Sequence, residues 1–561
     1  MNDMRVSDLI IEYLRQETPY IFGIVGKAVS PIFDSVINRR DIKIITTRHE
    51  EGAAFIATGY AQASGKLGVC IGTTGSGSTN LLTGVAAAYM NSVPLLVITG
   101  QTSTEKYGKG AHQESTGEGR TINTVEIFRH ATKHSTSIVN PTRTPEILQN
   151  AIRLAKSGRM GPVHLNIPFD VLMAEIDHKV NNFQSTTHTS KLASDHNSIR
   201  KAINLIEQSK HPTFIMGSGC VFSGGSPVLI GIAQKYNIPL ATTHGAKGGV
   251  YENNPLNLGI LGVCGHDTAF EYISNESDLL IAVGTSFGEF GTMKWKQNIA
   301  ANKKMIHIDI DPGEIGKNYP VDIGLVGDAK TILQQIEHEL QIQSIPPKLF
   351  KGNDVSSSKW NLTKVGFQEK LDDISLPLKP TRVIKEVRDN TPANTIFVSD
   401  AGQHAQWVQH YLPIYEEGEY YSKQNFSSMG YGVCASIGIK LAKPKKPVIC
   451  FCGDAGFQMN GNEIATAKQF NIPVIWIILN DSRWGMPYYG MLDIFGRTDH
   501  CDLPNADFAI VAKGLGIDGY TVTKPNELPT IIKESLAIKK PVVIDVKIDP
   551  NERVPFYKAT K

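Results

Sequence analysis

Apolar residues in this chain fall in short continuous runs, broken by Gly, Asp and Asn, with amphipathic stretches between them. Two runs, Val448–Cys452 and Val474–Leu479, read as strands buried on both faces. A helix is predicted between them, over roughly 462–470. A strand, helix and second strand in this length form a parallel crossover, which puts both strand C-termini on one edge of a sheet. The opening stretch MNDMRVSDLIIEYLRQ patterns as an amphipathic helix. Two polar stretches, about 177–197 and 341–359, lack periodic apolar residues and read as linkers. They divide the chain into blocks 1–178, 190–342 and 360–561. Each block alternates strand-like and helix-like runs, so the expected fold is α/β: three doubly wound domains with mainly parallel sheets.

The first and third blocks echo each other. GKLGVCIGTTGSGSTNLLTGVAAAYMNSVPLLVITG and KPKKPVICFCGDAGFQMNGNEIATAKQFNIPVIWIILN share a basic turn, a strand, a Gly-rich loop, a helix and an X-Pro step into a second strand. The spacing from Lys66 to Pro94 nearly equals that from Lys446 to Pro473. Two similar domains gripping one ligand from opposite ends are expected. The Gly72–Asn80 loop has no Lys after its glycines and is not a P-loop; close backbone approach at a strand end is its expected role.

Composition narrows the class. The 561 residues are 41% hydrophobic and 20% charged, with net charge +2, which offers no argument for a nucleic-acid partner. No run approaches the roughly 20 apolar residues of a membrane span, and the N-terminus lacks the features of a signal peptide. The seven cysteines are scattered without CxxC or zinc-ligand spacing, as suits a reducing cytoplasm.

The chemistry concentrates at the strand ends of the third block. Asp454 and Asp481 each follow a buried strand of the same crossover and can meet in space. Two hard oxygen ligands beside Gly-rich backbone suit Mg²⁺ held against a diphosphate.

This segment resembles the thiamine-diphosphate motif of the acetolactate-synthase and benzoylformate-decarboxylase superfamily: G-D-G, a helix, then N-N or N-D. Here the residues are Gly453, Asp454, Ala455 and Gly456, then Asn480 and Asp481. The resemblance covers nearly the whole chain. It implies pyrimidine-binding, central and diphosphate-binding domains, thiamine diphosphate with Mg²⁺, and a homodimer or homotetramer. In the first block HEEGAAFIATGYA resembles the family's H-E-x-G-A motif, which puts Glu50 at the pyrimidine nitrogen N1'. An acid that merely stabilises a helix N-terminus would suit Glu51 better. YIFGIVGKAVS resembles the loop bordering the pyrimidine, with Val25 where Pro is usual and Gly26 retained. In GAHQE, Gln113 occupies the position near the reacting carbon, able to hydrogen-bond a carbonyl or developing oxyanion, and His112 stands where an aromatic is usual. For His112 packing and catalytic roles both stay open.

In the third block the resemblance makes Gln403 and His404 phosphate contacts and puts Met429 beside the pyrimidine. Asn80, Gly485 and Met486 are further cofactor contacts. Mg²⁺ would take Asp454, Asp481 and the backbone carbonyl of Arg483, whose side chain is left unassigned. In the middle block MIHIDIDPGEIGKN and VGDAK resemble flavin-binding segments of acetohydroxyacid synthases. Gly217, Gly219, Gly284, Asp309, Glu314 and Asp328 are the implied FAD residues. Ser286 and Phe290 replace that subfamily's two arginines, so a domain kept only for structure is the competing reading.

Three departures bear on the acceptor: Phe290 for an Arg facing a carboxylate, Gly490 for a bulky Trp, and Gln406 for an apolar residue. With His112 they define an acceptor pocket that is roomier and more polar. The implied activity is a carboligase that decarboxylates a 2-oxo acid, pyruvate, and transfers a two-carbon unit to a carbonyl acceptor. The acceptor is a ketone or keto-sugar, as in a yersiniose-type branch. Two alternatives stand. GRTDHCDLPNADFAIVAKGLGI also resembles benzoylformate decarboxylases, which supports a simple 2-oxo-acid decarboxylase. A silent regulatory paralogue is the other, opposed by intact Glu50, Asp454 and Asp481.

Overall fold

The computed structural model describes residues 3–177, 191–347, 355, 371–415, 419–422 and 425–555. Three six-stranded sheets dominate it. In the first, the spatial order is Lys43–Thr46, Tyr20–Gly23, Gly68–Gly72, Leu95–Gln101, Val163–Pro168, His134–Ser137. In the third it is Glu419–Ser422, Ile396–Ser399, Val448–Gly453, Ile475–Asn480, Val542–Lys547, Asp518–Val522. Every pairing in both is parallel. Numbered along the chain, both sheets run 2-1-3-4-6-5. The echo between the first and third blocks is thus a full repeat of topology.

The middle sheet differs. Its order is Asn257–Ile260, Leu240–Thr242, Pro212–Met216, Leu279–Val283, Lys304–Asp309, Ile323–Val326, again all parallel. That is the 3-2-1-4-5-6 order of dinucleotide-binding sheets.

The first and third domains share a core. The helix Glu50–Ser64 lies directly on the helix Tyr431–Ala442. Glycines make the close approach possible: a Cβ on Gly59 would stand 2.3 Å from the Ala435 carbonyl oxygen, and one on Gly438 2.0 Å from that of Ile56. Both helices are buried almost throughout, which explains their small-residue composition.

Local boundaries depart from expectation at informative places. The predicted helix over 462–470 is the last part of a longer helical run. A helix begins at Asp454 itself and ends at Asn460, a 3₁₀ turn follows, and Ile464–Gln469 completes it. Gly-Asp-Ala-Gly reads as a loop by propensity, but Phe457 is 2% exposed and meets Phe508 edge-on at 5.3 Å, so packing overrides propensity. The Gly-rich segment after Gly72 likewise folds into a short turn and then the helix Ser76–Asn80. At the N-terminus, the strand Asp3–Arg5 precedes the expected helix, Val6–Glu17, and pairs antiparallel with Glu175–Asp177. The linker expected over 177–197 ends in the helix His196–Gln208, capped by Asp195, and its residues 178–190 lie outside the described residues. Most of the second linker also lies outside them, after the helix Ala329–Ile342.

Candidate active site

The third sheet reverses direction of growth between Ile396–Ser399 and Val448–Gly453. Ligands of doubly wound sheets bind at such a point, beyond the strand C-termini. A pocket lies there. Its lining includes Gln403, His404, Met429, Gly453, Asp454, Ala455, Gly456, Asp481, Arg483, Gly485 and Met486. Eleven positions selected from sequence motifs therefore converge on one cavity.

Its acidic end is built from two strand ends. Asp454 opens a helix after extended Gly453 and is 3% exposed. Its Oδ1 accepts the Ala455 amide at 2.8 Å and its Oδ2 the Arg483 amide at 3.3 Å. Asp481 follows the last residue of its strand. Ser482 then takes a left-handed φ of 53°, which turns the Arg483 amide back to Asp454. Asn480 braces this turn: its Nδ2 donates to Asp545 Oδ1 at 2.9 Å and its Oδ1 accepts the Ser482 amide at 3.2 Å. The amide thus has a structural task, which leaves Asp481 as the acid facing the pocket.

Burial pushes Asp454 up to about 6. Burial, then repulsion from Asp454, pushes Asp481 up to about 7. Two like charges in a low-dielectric cavity call for a cation. The Arg483 guanidinium does not fill that need. It donates to Asp502 at 3.0 Å and to the Pro550 carbonyl at 3.2 Å, and lies 3.9 Å over the Tyr488 ring. Among the described residues no group of three or more His, Cys, Asp or Glu side chains could hold a metal, so a cation here would complete its shell with backbone and non-protein oxygens. That donor set fits Mg²⁺ on a diphosphate.

The helix Gln403–Tyr411 supplies another part of the lining through Gln403 and His404. Burial pushes His404 down to about 4, so its imidazole is neutral, and its Nε2 has no partner. The unpartnered Nε2 is therefore open to a group bound in the cavity. Gln403 Nε2 donates to the Glu552 carbonyl at 3.1 Å, leaving its Oε1 unpaired.

Sequence reasoning missed Asp400, at the end of the neighbouring strand. It is 1% exposed, and burial pushes it up to about 6. Its Oδ2 accepts the Gly430 amide at 2.8 Å and its Oδ1 the Gly432 amide at 2.9 Å, fixing the loop that carries Met429. The signal was present, since IFVSD repeats the strand-then-acid pattern of FCGD.

The first-domain candidates meet elsewhere, around Thr73–Asn80. Glu50 is the first residue of its helix and 8% exposed, whereas Glu51 is less buried. Asn80 Nδ2 donates to Glu50 Oε2 at 2.9 Å. A Cβ on Gly77 would stand 3.1 Å from Glu50 Oε1, and one on Gly26 2.4 Å from Thr73 Cβ. At the other end of the segment the Thr74 hydroxyl donates to the Gln113 carbonyl at 2.9 Å. Val25, His112 and Gln113 are exposed. Glu463 joins the two domains here: its Oε1 accepts the Arg48 and His49 amides at 2.8 Å each, immediately before Glu50.

None of this first-domain cluster lines the third-domain pocket. Nor do the four acceptor candidates. His112 is exposed beside Gln113. Gln406 is buried with an unpartnered Oε1. Gly490 sits on the helix Gly485–Phe495 with nothing within 4 Å of an added Cβ. Phe290 is 44% exposed in the middle domain, edge-on to His244.

The middle-domain candidates cluster at its switch point. Gly217 and Gly284 end adjacent strands, and a Cβ on Gly217 would stand 2.1 Å from the Gly284 oxygen. A Cβ on Gly219 would stand 2.9 Å from the Gly284 Cα. Asp309 ends the next strand, accepts the Asp311 amide at 3.0 Å, and is raised by burial. Asp328 caps a helix and pairs with Lys191 at 3.1 Å. Glu314 is held by Arg159 at 2.7 Å and Lys317 at 2.6 Å.

Comparison with known proteins finds three family domains along the chain. Residues 4–119 match the N-terminal TPP binding domain of thiamine pyrophosphate enzymes, 199–336 the central domain, and 400–546 the C-terminal TPP binding domain. A probable acetolactate synthase large subunit of Methanococcus aeolicus is 36% identical, over 98% of this chain and 92% of its own. Another from Methanocaldococcus jannaschii is 35% identical over 99% and 93%. The acetolactate synthase large subunit of Haemophilus influenzae is 32% identical over 99% and 96%. With its three sheets, its repeated topology and its acidic pocket, the chain belongs to the thiamine-diphosphate-dependent enzymes of the acetolactate-synthase-like superfamily.

Proposed function

We propose that this enzyme decarboxylates pyruvate and passes the two-carbon unit to a carbonyl acceptor of the ketone or keto-sugar class. The observation that carries the reading is the buried pair Asp454 and Asp481 beside unpartnered His404 Nε2 in one cavity. When bound, thiamine diphosphate supplies the electron sink through which a 2-oxo acid loses CO₂ and its remaining carbons reach an acceptor. Asp454, Asp481 and the Arg483 carbonyl would hold Mg²⁺. Gln403 and His404 would contact the diphosphate. Glu50, held by Asn80, would share its proton with the pyrimidine nitrogen N1'. Gln113 would hydrogen-bond the reacting carbonyl.

Because the Glu50 cluster lines none of the diphosphate pocket, we assign the complete site to two chains, with Glu50 of one facing Asp454 of its partner in a homodimer or a tetramer of such dimers. For the acceptor, Phe290 offers no charge to a carboxylate, and the space at Gly490 is open. Both favour bulky neutral ketones. Mass spectrometry of products from pyruvate with a panel of ketones, aldehydes and nucleotide-linked keto-sugars tests this. Ligated products support it. Free acetaldehyde as sole product assigns a decarboxylase, and no turnover assigns a silent paralogue.

FAD is the reading we favour for the middle domain, supported by its strand order and by Gly217, Gly219, Gly284 and Asp309 at the switch point. Glu314 and Asp328 would have to serve it while keeping their ion pairs. Purified protein is expected to be yellow, with flavin released on denaturation. A colourless protein that fails to bind added FAD refutes the assignment.

A further inference from the structure

Beneath the Gln113 loop runs a buried chain of polar side chains that the proposed chemistry does not use. Gln101 and Ser115 are each 1% exposed and Thr74 3%. Gln101 Nε2 donates to Ser115 Oγ at 3.1 Å, and Ser115 Oγ lies 3.1 Å from Thr74 Oγ1. Thr74 Oγ1 donates to the Gln113 carbonyl at 2.9 Å. Gln101 Oε1 meanwhile accepts the Thr102 amide at 3.0 Å and the Ser115 amide at 3.2 Å, which fixes its amide orientation.

Each hydroxyl has one proton to give. The Thr74 hydroxyl has two carbonyl acceptors in reach, Gln113 at 2.9 Å and Gln101 Oε1 at 3.3 Å, and the shorter contact is to Gln113. With the Thr74 proton there, Ser115 donates to Thr74 and accepts from Gln101. In that arrangement the chain runs from Gln101 to the backbone oxygen of Gln113. That oxygen belongs to a residue with φ of 59°, a left-handed conformation sparsely populated by residues with a Cβ. Gly75, itself at φ 66°, lets the loop come within 3.1 Å of Gln113 Cβ, measured to a Cβ added at Gly75. The same segment ends at Asn80 on Glu50, so one short stretch touches both first-domain candidates at opposite ends.

We propose that Thr74 is the positioning residue for Gln113: its hydroxyl, aimed by Ser115 and Gln101, holds the strained backbone that carries the Gln113 amide. This rests on the reading of Gln113 as a contact of the reacting carbonyl. Thr74→Val removes the hydroxyl at nearly constant shape. With thiamine diphosphate, Mg²⁺ and pyruvate, it is expected to lower kcat/KM for product formation by about 10–100-fold, the scale of a misplaced catalytic contact. Hydrogen exchange at C2 of bound cofactor, which depends on Glu50, should stay within about twofold of wild type, a difference small beside that loss. Thr74→Ser should restore turnover. Gln113→Ala is measured in parallel. If Gln113→Ala turns over normally, the reading of Gln113 falls and the inference with it. If Gln113→Ala is impaired while Thr74→Val is not, the inference alone is overturned. Equal loss of exchange and turnover in Thr74→Val also overturns it, since Thr74 would then be a general support. Should Thr74→Val fail to fold, Ser115→Ala must show the same selective loss, smaller in size; wild-type turnover there overturns the proposal.

Discussion

Glu50→Gln is expected to lower turnover by about 10²–10⁴-fold, the usual scale of acid–base catalysis, without unfolding the protein. The two halves of that expectation come from different contacts. Glu50 accepts the Asn80 amide through Oε2. A Gln side chain has the same shape and keeps an oxygen that can accept that bond, so helix Glu50–Ser64 and its packing on Tyr431–Ala442 should survive. What Gln cannot do is release and recover a proton at N1'. The measurement is exchange of the cofactor C2 hydrogen in D₂O, followed by NMR, alongside the melting temperature. Near-normal exchange in the variant would remove Glu50 from the assignment. A collapsed melting temperature would mean that the loss of activity reports on the fold instead.

Much of this architecture was legible because it is written locally. Apolar runs closed by an acid, FCGD and IILND, mark strand C-termini, and two such ends on one crossover must share a sheet edge. The recurrence of basic turn, strand, Gly-rich loop, helix and X-Pro strand in the first and third blocks announced a repeat. That the repeat extends to all six strands could not be read, because strand order is set by pairings between distant segments. The residues missed share that property. Asp400 acts on the Gly430 and Gly432 amides, and Glu463 on the Arg48 and His49 amides of another domain. Nothing near either acid in sequence reveals its partner. The start of the helix at Asp454 was hidden for a related reason: the decisive contact is Phe457 on Phe508, far along the chain. The acceptor candidates were chosen by what they replace, and the single chain does not bring them to the pocket.

Asp454→Ala is expected to weaken Mg²⁺-dependent binding of thiamine diphosphate by at least about 10–100-fold, the loss that follows even from removing a ligand's supporting hydrogen-bond partner. The carboxylate would anchor the cation from the first turn of a helix, and among the described residues lining the pocket Asp481 is the other acid. The pH dependence should carry the same signature. Asp454 and Asp481 are pushed up to about 6 and about 7, above the ordinary carboxylate value. Without cofactor, the folded protein therefore holds protons that the unfolded chain has released. The pair costs stability as pH rises through those two values, and that cost is relieved as pH falls back below them. Mg²⁺ needs the deprotonated pair, so its affinity moves the opposite way and weakens on acidification. Calorimetric titrations with and without Mg²⁺ on the alkaline and acid sides of that range test both variant and wild type. Unchanged affinity in Asp454→Ala would exclude it as a ligand. The same variant probes the shared site. Mixed with Glu50→Gln under conditions that exchange subunits, it should regain activity, because each mixed dimer rebuilds one site from an intact Glu50 and an intact Asp454. Subunits that exchange yet stay inactive would place both residues in the same chain's site, and the two-chain assignment would fail.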